Sequence, residues 1–566
     1  MENRRFALLA ILGVLVFFIY QAWQTDYGAK KPIAPPDTEA TEATLAKTAA
    51  STADAAPTIV PDQAASGSAT PMPASNARVK VVTDLFVGEI ALQGGDLRRL
   101  ELIGYPISKN QPDQNVPLLN DRGGHYFVLQ SGIATAEKAL GSHYDAFSSA
   151  QTEYQLAEGS DVLEVPLEHI DAAGNKVIKT YRFHRGSYEL ELEQTLVSAA
   201  SQPVSASPYL RMVRNDAPVG EEPRFIHTFT GVGIYEAKPG SDKFRFKKLP
   251  FKDLKDETYK VEQTGGWIAI LQHYFVAAIL PAEGEKLHFE SKPGKDETYL
   301  AQYLGASADV QPQATLSFTT KLYVGPKLQD SIGKAAKGLE LTVDYGILTA
   351  ISEPLFWVME KLHQYTGNWG VAIILLTLIV KTIFYPLAAA QYRSTAKMRK
   401  FAPRIAELKE RYGDDRERMS KAMMELYKKE GFNPLAGCWP LLVQMPVFFA
   451  LYWVFLESVE LRQADFALWI NDLTSPDPFY VLPVIYGVSM FFMQKLSGQT
   501  ATMDPMQQKV MNVMPIAMAG FFAFFPSGLV LYWCVSNCIS IAQQWYITRK
   551  IEREGEVAKT ALKGAK

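Results

Sequence analysis

The stretch WGVAIILLTLIVKTIFYPLAAAQY, residues 369–392, reads as a membrane-spanning helix that contains a single lysine. Its apolar part, from Trp369 to about Leu387, approaches the roughly 20 residues with which a helix crosses a lipid bilayer. A charged group inside the bilayer costs at least about 2.5 kcal/mol on insertion scales. Lys381 must therefore either extend its side chain to the membrane interface or face a polar environment between helices. Its position in the sequence leaves both alternatives open.

Five further apolar segments have the composition of membrane spans. They are the N-terminal run Phe6–Tyr20 and the segments Trp439–Leu456, Phe479–Gln494, Val510–Phe525 and Leu529–Ile547. Several are shorter than an average bilayer requires, and local thinning of the bilayer can accommodate them. The six segments contain no Asp, Glu or His, and no Lys or Arg besides Lys381. The sequence therefore predicts an α-helical polytopic membrane protein with six spans, five of them in a core over residues 369–547.

The N-terminus, MENRRFALLAILGVLVFFIYQAW, places Arg4 and Arg5 before its apolar run and no small-x-small cleavage motif after it. This pattern favours an uncleaved anchor over residues 1–24, with its N-terminus in the cytoplasm, rather than a signal peptide. Residues 25–77 are rich in Ala, Thr, Pro and Ser and contain almost no aromatic residues, which is typical of a flexible linker.

The charges of the loops predict the orientation of the spans. Between residues 388 and 434 there are twelve Lys or Arg, whereas residues 457–478 contain one basic residue, Arg462. The basic tail, 548–566, contains six. Because basic loops stay in the cytoplasm, both termini and the 388–434 loop are predicted to be cytoplasmic. The 457–478 loop is predicted to lie on the other side.

Residues 78–330 are expected to form a large all-β domain on the non-cytoplasmic side. Segments such as YELELEQTLV, residues 188–197, place apolar side chains at every second position, and turn sequences such as DAAGNK separate the segments. Alternation over many short segments is typical of a β-sandwich. The domain contains no cysteine, so disulfide bonds do not hold it together. Seven of the eight histidines lie here, but they form no compact catalytic motif.

A connector, residues 331–368, contains an amphipathic helix over SEPLFWVMEKLHQY. Ser352 is predicted to cap this helix, with Pro354 in its first turn. Its apolar stripe consists of Leu355, Val358, Met359 and Leu362. Such a helix, placed directly before a span, suits the membrane interface. Packing against the outer domain is the alternative.

The cytoplasmic loop 388–434 contains two apolar stripes with spacings of three and four residues. One runs from Met398 to Tyr412 and the other begins at Met419, with Gly413 between them. The loop is therefore predicted to form a hairpin of two antiparallel amphipathic helices. Its methionine-rich face suits a partner protein or a membrane surface, and a solvated stalk is the alternative.

Polar residues within the spans occupy faces that can turn toward one another. Thr377 shares a helix face with Lys381, and Gln444 adds an amide to the next core span. The polar residues of the last span are Ser536, Asn537, Ser540, Gln543 and Gln544. Polar groups that face lipid are costly, so these faces should meet one another or water. An ammonium group needs water or an anion, which predicts a hydrated groove, open to the cytoplasm, that admits hydrophilic peptide.

Five segments of the chain resemble the YidC/Oxa/Alb family of membrane protein insertases, in its Gram-negative form. They are GNWGVAIILLTLIVKTIFYPL, AKMRKFAPRIAELKERYGDD, NPLAGCWPLLVQMPVFFALY, DPMQQKVMNVMPI and FPSGLVLYW. With the anchor, linker and outer domain, the resemblance covers nearly the whole chain. It implies a five-helix insertase core with a hydrophilic groove, a periplasmic β-supersandwich domain and a cytoplasmic helical hairpin. It also implies the inner membrane of a bacterial cell as the location.

The resemblance also implies roles for individual residues. Lys381 corresponds to the basic position of the groove, which is usually arginine in the family, and a lysine there lacks the planar guanidinium fork. Tyr532 corresponds to a groove tyrosine, and Trp533 stands where a second tyrosine is expected. The expected substrate groove consists of Lys381, Thr377, Gln444, Tyr532, Trp533, Ser536 and Ser540. The residues expected on the apolar slide for substrates are Met445, Phe448, Phe449 and Met514.

The implied partners are nascent membrane proteins, the Sec translocon, ribosomes and the lipid bilayer. A net charge of −3 gives no basis for nucleic-acid recognition. No histidine follows His363, so the spans lack the base of a Ser/His protease and the ligands of a zinc site. The sequence therefore predicts neither an enzyme nor a bound metal or cofactor. A small-solute transporter or channel is the alternative, although such proteins usually carry several ionisable groups near the membrane midplane.

Overall fold

The computed structural model describes residues 77–217, 228–241, 243–413, 415–429, 439–497 and 505–564. The predicted anchor, 1–24, and the predicted linker, 25–77, lie outside the described residues except for residue 77. Strands occupy most of the described chain up to Pro326, and helices dominate after it.

Twenty strands form the first part of the described chain. Their bounds are β1 Arg78–Val82, β2 Phe86–Ala91, β3 Asp96–Ser108, β4 Gln111–Leu119, β5 Phe127–Thr135, β6 Ala139–Leu140, β7 Glu153–Gln155, β8 Val162–Ile170, β9 Lys176–His184, β10 Glu189–Val197, β11 Val204–Asn215, β12 Gly231–Ala237, β13 Phe244–Pro250, β14 Tyr259–Thr264, β15 Trp267–Leu271, β16 Phe275–Leu280, β17 Lys286–Pro293, β18 Thr298–Leu304, β19 Ala308–Val310 and β20 Thr315–Pro326. A short helix, α1 Phe251–Leu254, lies between β13 and β14.

Two sheets pack face to face in this domain. The first has twelve strands in the order β14-β17-β18-β11-β5-β3-β2-β1-β7, with β19, β4 and β6 paired to β11, β3 and β5. The second has eight strands in the order β13-β12-β15-β16-β20-β10-β9-β8. Leu100 and Phe127 of the first sheet share one buried core with Tyr181 and Leu192 of the second. The domain is therefore a β-sandwich, and the predicted β-rich domain is confirmed.

Strand β10 shows how the alternating sequence produces this core. Leu190 and Leu192 are fully buried, whereas Glu191 and Glu193 are only partly buried. Because successive side chains of a strand point to opposite faces of the sheet, the leucines all enter the space between the sheets. The glutamates stay on the outer face.

Nine α-helices follow the sandwich in the described chain, and their lengths range from 7 to 38 residues. Their bounds are α2 Gln329–Ala335, α3 Thr349–Thr366, α4 Trp369–Ile383, α5 Tyr385–Tyr412, α6 Arg416–Lys429, α7 Trp439–Glu457, α8 Val481–Ser497, α9 Pro505–Phe522 and α10 Ser527–Gly564. The five predicted core spans fall on α4, α7, α8, α9 and α10, with shifted ends. Helices α5 and α6 occupy the predicted hairpin and contact each other.

By length and composition, no single described helix is sufficient to cross a membrane. Trp369–Ile383 and Tyr385–Ser394 meet both criteria only when taken together, as a pair bent by 63°. Val443–Glu457 and Val481–Leu496 are apolar but shorter. The count of six spans therefore stays a prediction.

The first core helix ends earlier than predicted, at a break beside Phe384. Helix α4 ends at Ile383 and α5 begins at Tyr385, whereas the sequence predicted one span to Leu387. Pro386 accounts for the break, because proline has no backbone N–H and is tolerated only in the first turn of a helix. Lys381 lies in the last turn of α4, just before the break.

The connector helix, α3, begins at Thr349, so the predicted cap at Ser352 is wrong. Ser352 is fully buried within the helix, and its Oγ donates to the carbonyl of Ala450 in α7 at 3.2 Å. Met359 of the predicted stripe is buried in the helical core, and the rest of the stripe packs against that core. The stripe therefore contacts the membrane-type helices rather than the outer domain.

The β domain contacts the segment that joins α7 to α8. We call this segment, residues 458–480, the outer loop, and its contact with the β domain and the connector the seam. Arg462 donates to the carbonyl of Pro106 at 2.7 Å. Lys109 donates to Asp465 Oδ1 at 2.5 Å and to the carbonyl of Asn471 at 2.6 Å. Charged side chains of both parts thus hold the seam together.

Two contacts extend the seam to α2 and to the end of α7. The backbone N–H of Gln329 donates to Glu460 Oε1 at 2.9 Å. His273 Nε2 donates to the carbonyl of Leu456 at 2.8 Å. Burial lowers the pKa of His273 to about 3, so its ring stays neutral in this contact.

The outer loop also fixes the start of α4. Asn368 caps this helix, since its side chain accepts the N–H of Val371 at 3.0 Å. The Nδ2 of the same residue donates to the carbonyl of Phe466 at 2.8 Å. The Phe466 ring lies so close to Gly370 that an added Cβ would stand 1.9 Å from it. The outer loop therefore contacts both the β domain and the first core helix, α4.

Candidate functional site

Six helices of the core surround a cavity of about 320 Å³. The lining residues are Lys381 and Phe384 at the break, Leu387, Ala388, Gln391 and Tyr392 of α5, Gln444, Met445 and Phe448 of α7, Met490, Met493 and Gln494 of α8, Met511 and Met514 of α9, and Tyr532, Trp533, Ser536, Asn537, Ser540 and Gln544 of α10. The cavity is therefore built where the bent pair α4–α5 meets the remaining core helices.

Lys381 points into this cavity. Its Nζ donates to the hydroxyl of Ser540 on α10 at 2.9 Å. No ion pair joins it to an acidic side chain among the described residues. A neutral hydroxyl compensates a half-buried ammonium only in part, so this position favours water or an anionic group nearby. The side chain lies between helices here, rather than extending along one helix to the interface.

Helix α10 contributes a polar wall to the cavity. Its residues there are Tyr532, Ser536, Ser540 and Gln544, all of them buried. Intervals of four residues place these side chains on one side of the helix. The neighbouring Asn537 donates its Nδ2 to Ser489 Oγ of α8 at 3.0 Å. That bond joins α8 to α10. The hydroxyl-bearing residues Ser536 and Ser540 line the cavity instead.

Helices α7, α8 and α9 contribute a methionine wall. Its members are Met445, Met490, Met493, Met511 and Met514. Within α8 and within α9 the two methionines are three residues apart, which places each pair on one side of its helix. A methionine side chain is unbranched and flexible, so such a wall adapts to apolar groups of different shape.

Trp533 holds three helices against α10. Its ring contacts Phe448 of α7, Tyr486 of α8 and Phe522 of α9, with ring centroids 4.9, 5.7 and 5.5 Å away. Its indole N–H is buried, and no described residue accepts a hydrogen bond from it. The large indole at this position thus fixes the packing around the cavity and presents a donor there.

The structure brings together nine of the eleven residues predicted for the groove and slide. Thr377 and Phe449 are the two that do not line the cavity. Thr377 is fully buried, and its hydroxyl donates to the carbonyl of Ile373 within α4 at 2.7 Å. Phe449 lies beside Phe448, with ring centroids 5.1 Å apart. The hydroxyl of Thr377 therefore forms its hydrogen bond within α4 and does not contribute to the groove.

Some lining residues were not predicted from the sequence. The sequence contains a signal for Met490, Met493 and Met511. Each belongs to a pair of methionines three residues apart, Met490 with Met493 and Met511 with Met514, and both pairs line the cavity. Gln391 and Tyr392 carry none, because they reach the cavity only through the break between α4 and α5.

No group of three or more His, Cys, Asp or Glu side chains in the described ranges is arranged to hold a metal ion. Cys534 is buried, and its Sγ donates to the carbonyl of Leu482 at 3.4 Å. It acts as a small packing residue between α8 and α10.

Two family models match the chain, the YidC periplasmic domain over residues 78–358 and the 60Kd inner membrane protein over residues 361–554. The membrane protein insertase YidC of Nitrosococcus oceani is 43% identical over 556 residues, covering 98% of this chain and 100% of that protein. The corresponding protein of Methylococcus capsulatus is 43% identical over 554 residues, covering 98% and 99%. The chain belongs to the YidC membrane protein insertase family.

The family match divides this chain at the connector. The YidC periplasmic domain includes the whole sandwich and most of α3, and so extends beyond the predicted boundary at residue 330. A crystal structure of an active YidC insertase is similar with a TM-score of 0.39 at 19% identity, covering 83% of this chain and 93% of that one. The YidC insertases are not an enzyme family, in agreement with the sequence.

Proposed function

We propose that this chain inserts membrane proteins into the bacterial inner membrane and assists their folding, alone or with the Sec translocon. The observation that supports this proposal most directly is the cavity of about 320 Å³, in which Lys381 lies among buried hydroxyl and amide groups. The methionine wall of the same cavity supports contact with apolar segments. Membership of the YidC insertase family supports the same function.

In this proposal the cavity shortens the apolar distance that a hydrophilic segment must cross. Such a segment leaves the cytoplasm and enters the polar wall, where its acidic groups are attracted by Lys381. Lysine acts there as a point charge and does not impose the two-pronged geometry of an arginine. The following apolar segment contacts the methionine wall and then passes into lipid.

The proposed topology has six spans, with both termini and the α5–α6 hairpin in the cytoplasm. The basic residues of the hairpin and of the α10 end would contact ribosomes that deliver nascent chains. Helix α3 is proposed to lie in the membrane–water interface on the non-cytoplasmic side of the inner membrane. Trp357 and Tyr365 of α3 are 59% and 89% exposed, and aromatic side chains are favoured at that depth.

The test is insertion of a substrate with an acidic translocated segment into proteoliposomes that contain the chain. Lys381→Glu is expected to lower the insertion rate by about tenfold or more, equivalent to about 1.4 kcal/mol, because repulsion replaces attraction. Lys381→Arg retains the charge and is expected to stay within about twofold of that rate. Lys495→Glu is the matched control, since Lys495 is an exposed lysine of α8 that contacts Phe491 outside the cavity.

Equal rates for all three variants would contradict the role of Lys381. Photo-crosslinkers at Met445 and Met514 are expected to trap nascent chains more strongly than one at Val484, which is exposed but does not line the cavity. Flux of a small solute without insertion would instead favour a transporter or channel.

A further inference from the structure

The outer loop presents three large, mainly apolar side chains away from the protein. Leu468, Phe479 and Tyr480 are 87%, 68% and 53% exposed, and we call them the apolar patch. Leu468 and Tyr480 also have φ angles of 58° and 57°, in the left-handed region where such residues are uncommon. In water both features cost free energy, because apolar surface stays hydrated and the backbone is strained.

Asp477 holds the apolar patch in a fixed arrangement. This carboxylate is almost completely buried. Its Oδ1 accepts the indole N–H of Trp469 at 2.9 Å and the backbone N–H of Phe479 at 3.0 Å. Its Oδ2 accepts the N–H of Leu482, in the first turn of α8, at 2.7 Å. Asp477 therefore ties the turn that carries Leu468 to the start of α8, and hydrogen bonds within the protein set the exposed positions.

The charged side chains of the outer loop are bonded to other parts of the protein. The loop contains five of them. Glu460, Arg462 and Asp465 bond across the seam. Asp472 and Asp477 accept hydrogen bonds within the loop. The loop therefore directs its charges toward protein partners and leaves the apolar patch exposed.

An exposed apolar stripe of α8 begins directly after the apolar patch. Val484, Val488 and Phe492 are exposed, and intervals of four residues place them on one side of the helix. Residues 479–494 contain no Asp, Glu, Lys, Arg or His. A protein-binding surface usually surrounds its apolar centre with a polar rim, whereas a surface in the hydrocarbon layer consists of apolar residues. The continuity with an uncharged stripe therefore favours lipid as the occupant of the patch.

We propose that the apolar patch inserts into the bilayer leaflet nearest the β domain. Leu468 and Phe479 contact the acyl chains there, and the Tyr480 hydroxyl stays among the headgroups, where aromatic side chains are favoured. Removal of these side chains from water offsets the strain of the left-handed residues. Insertion depends on the proposed span α8 and gives the outer loop a second role. Its charges hold the β domain while its apolar patch holds the membrane surface.

Fluorescence quenching with the full chain in proteoliposomes tests the insertion. An environment-sensitive fluorescent amino acid replaces Leu468 in one protein and Phe479 in another. Lipids with bromine on the acyl chains are expected to quench both labels, because both positions lie in the leaflet. Iodide in the water is expected to cause little loss of their fluorescence.

Ser475 and Ile170 are the matched control positions. Ser475 is exposed in the same loop, and its hydroxyl bonds to Asp472. Ile170 is an exposed aliphatic residue on the edge strand β8. Labels at these two positions are expected to be quenched by iodide and not by the brominated lipid.

A label at Val488 separates failure of the insertion from failure of the span. Lipid quenching at Val488 with iodide quenching at residues 468 and 479 would overturn the insertion and leave the span intact. Iodide quenching at all three positions would contradict the span as well. Protection of residues 468 and 479 from both quenchers would indicate a second copy of the chain on the patch and would also overturn the proposal.

Leu468→Asn tests the contribution of the leucine itself. Asparagine tolerates the left-handed conformation, so the turn is retained while the apolar side chain is lost. The variant is expected to reduce lipid quenching of the label at residue 479, whereas Ile170→Asn leaves it unchanged. Unchanged quenching in Leu468→Asn would contradict the role assigned to Leu468.

Discussion

The cavity between the helices and the seam at the β domain both contain charged side chains, but they compensate these charges differently. In the seam, Lys109 and Arg462 donate to named oxygens across the contact, and Glu460 accepts the N–H of Gln329. In the cavity, Lys381 donates to one neutral hydroxyl.

This difference separates a fixed contact from an adaptable one. Hydrogen bonds between specific partners hold two surfaces in a single arrangement, and removing one partner leaves the other unsatisfied. A charge with little compensation, beside flexible methionines, can accept different visiting groups at low cost. Substitutions in the seam should therefore act on stability, and substitutions in the cavity on insertion.

Lys327→Met is expected to produce the largest loss of stability. Lys327 and Glu457 are both almost completely buried at the seam, and the charge of each shifts the pKa of the other. Burial raises the pKa of Glu457, and Lys327 opposes that shift. Removing the lysine should cost about 3 kcal/mol at pH 8, where Glu457 is ionised, and less at pH 5, where it takes up a proton. Thermal unfolding in detergent at the two pH values measures this.

The double variant Lys327→Met with Glu457→Gln is the matched control. It should recover most of the loss at pH 8, because no unpaired carboxylate is left. A loss that is the same at both pH values would contradict the charge interaction between Lys327 and Glu457.

Gly370→Ala is expected to destabilise the protein by about 2 kcal/mol. The new Cβ would meet the Phe466 ring, so either the outer loop or α4 must move. Gly520→Ala in α9 is the control, since nothing lies within 4 Å of an added Cβ there. Unfolding temperatures of the two variants give the result, and equal values would show that the outer loop does not pack tightly on α4.

Glu460→Gln is expected to stabilise the protein at pH 8 by about 1 kcal/mol. Burial raises the pKa of Glu460 to about 7, above its ordinary value of 4.5, so ionisation opposes the folded state. Wild-type stability should therefore fall as the pH rises from about 4.5 to 7. Glutamine stays neutral and still accepts the N–H of Gln329, so the variant should match the wild type at pH 5. Unfolding of both proteins measured across this pH range tests the prediction. A wild type that gains stability with rising pH would contradict the raised pKa of Glu460.

Ser540→Ala is expected to have the smallest effect on stability, about 0.5 kcal/mol or less. Water can replace the hydroxyl that accepts from Lys381 in a polar cavity. Ser489→Ala removes an acceptor inside the packing of α8 on α10 and should cost about 1 kcal/mol. Chemical unfolding in mixed micelles compares the two. A larger loss for Ser540→Ala would place the cavity among the fixed contacts.

Features that depend on local periodicity were predictable from the sequence. Alternation in Glu189–Val197 predicted a strand of a two-layer domain, and its leucines enter the core. The spacing of Ser536 and Ser540 predicted one polar face, and both line the cavity with Lys381. Each of these features is set by residues within one element.

Features that depend on how elements meet were not predictable in the same way. Thr377 lies on the same face as Lys381 by spacing, yet its hydroxyl bonds to its own helix. Ser352 resembles a cap but is buried against α7. Gln391 joins the cavity only because the chain turns near Pro386. Rotation and crossing of neighbouring helices decide these outcomes, and no spacing along one helix records them.

The length of α10 has a mechanical consequence. Its 38 residues form a rod about 57 Å long, nearly twice the roughly 30 Å thickness of the hydrocarbon layer. The residues of α10 that line the cavity all lie in the first half of this helix. The second half of the helix therefore extends beyond the cavity as a continuation of the same helix that carries the polar wall and the Trp533 ring contacts.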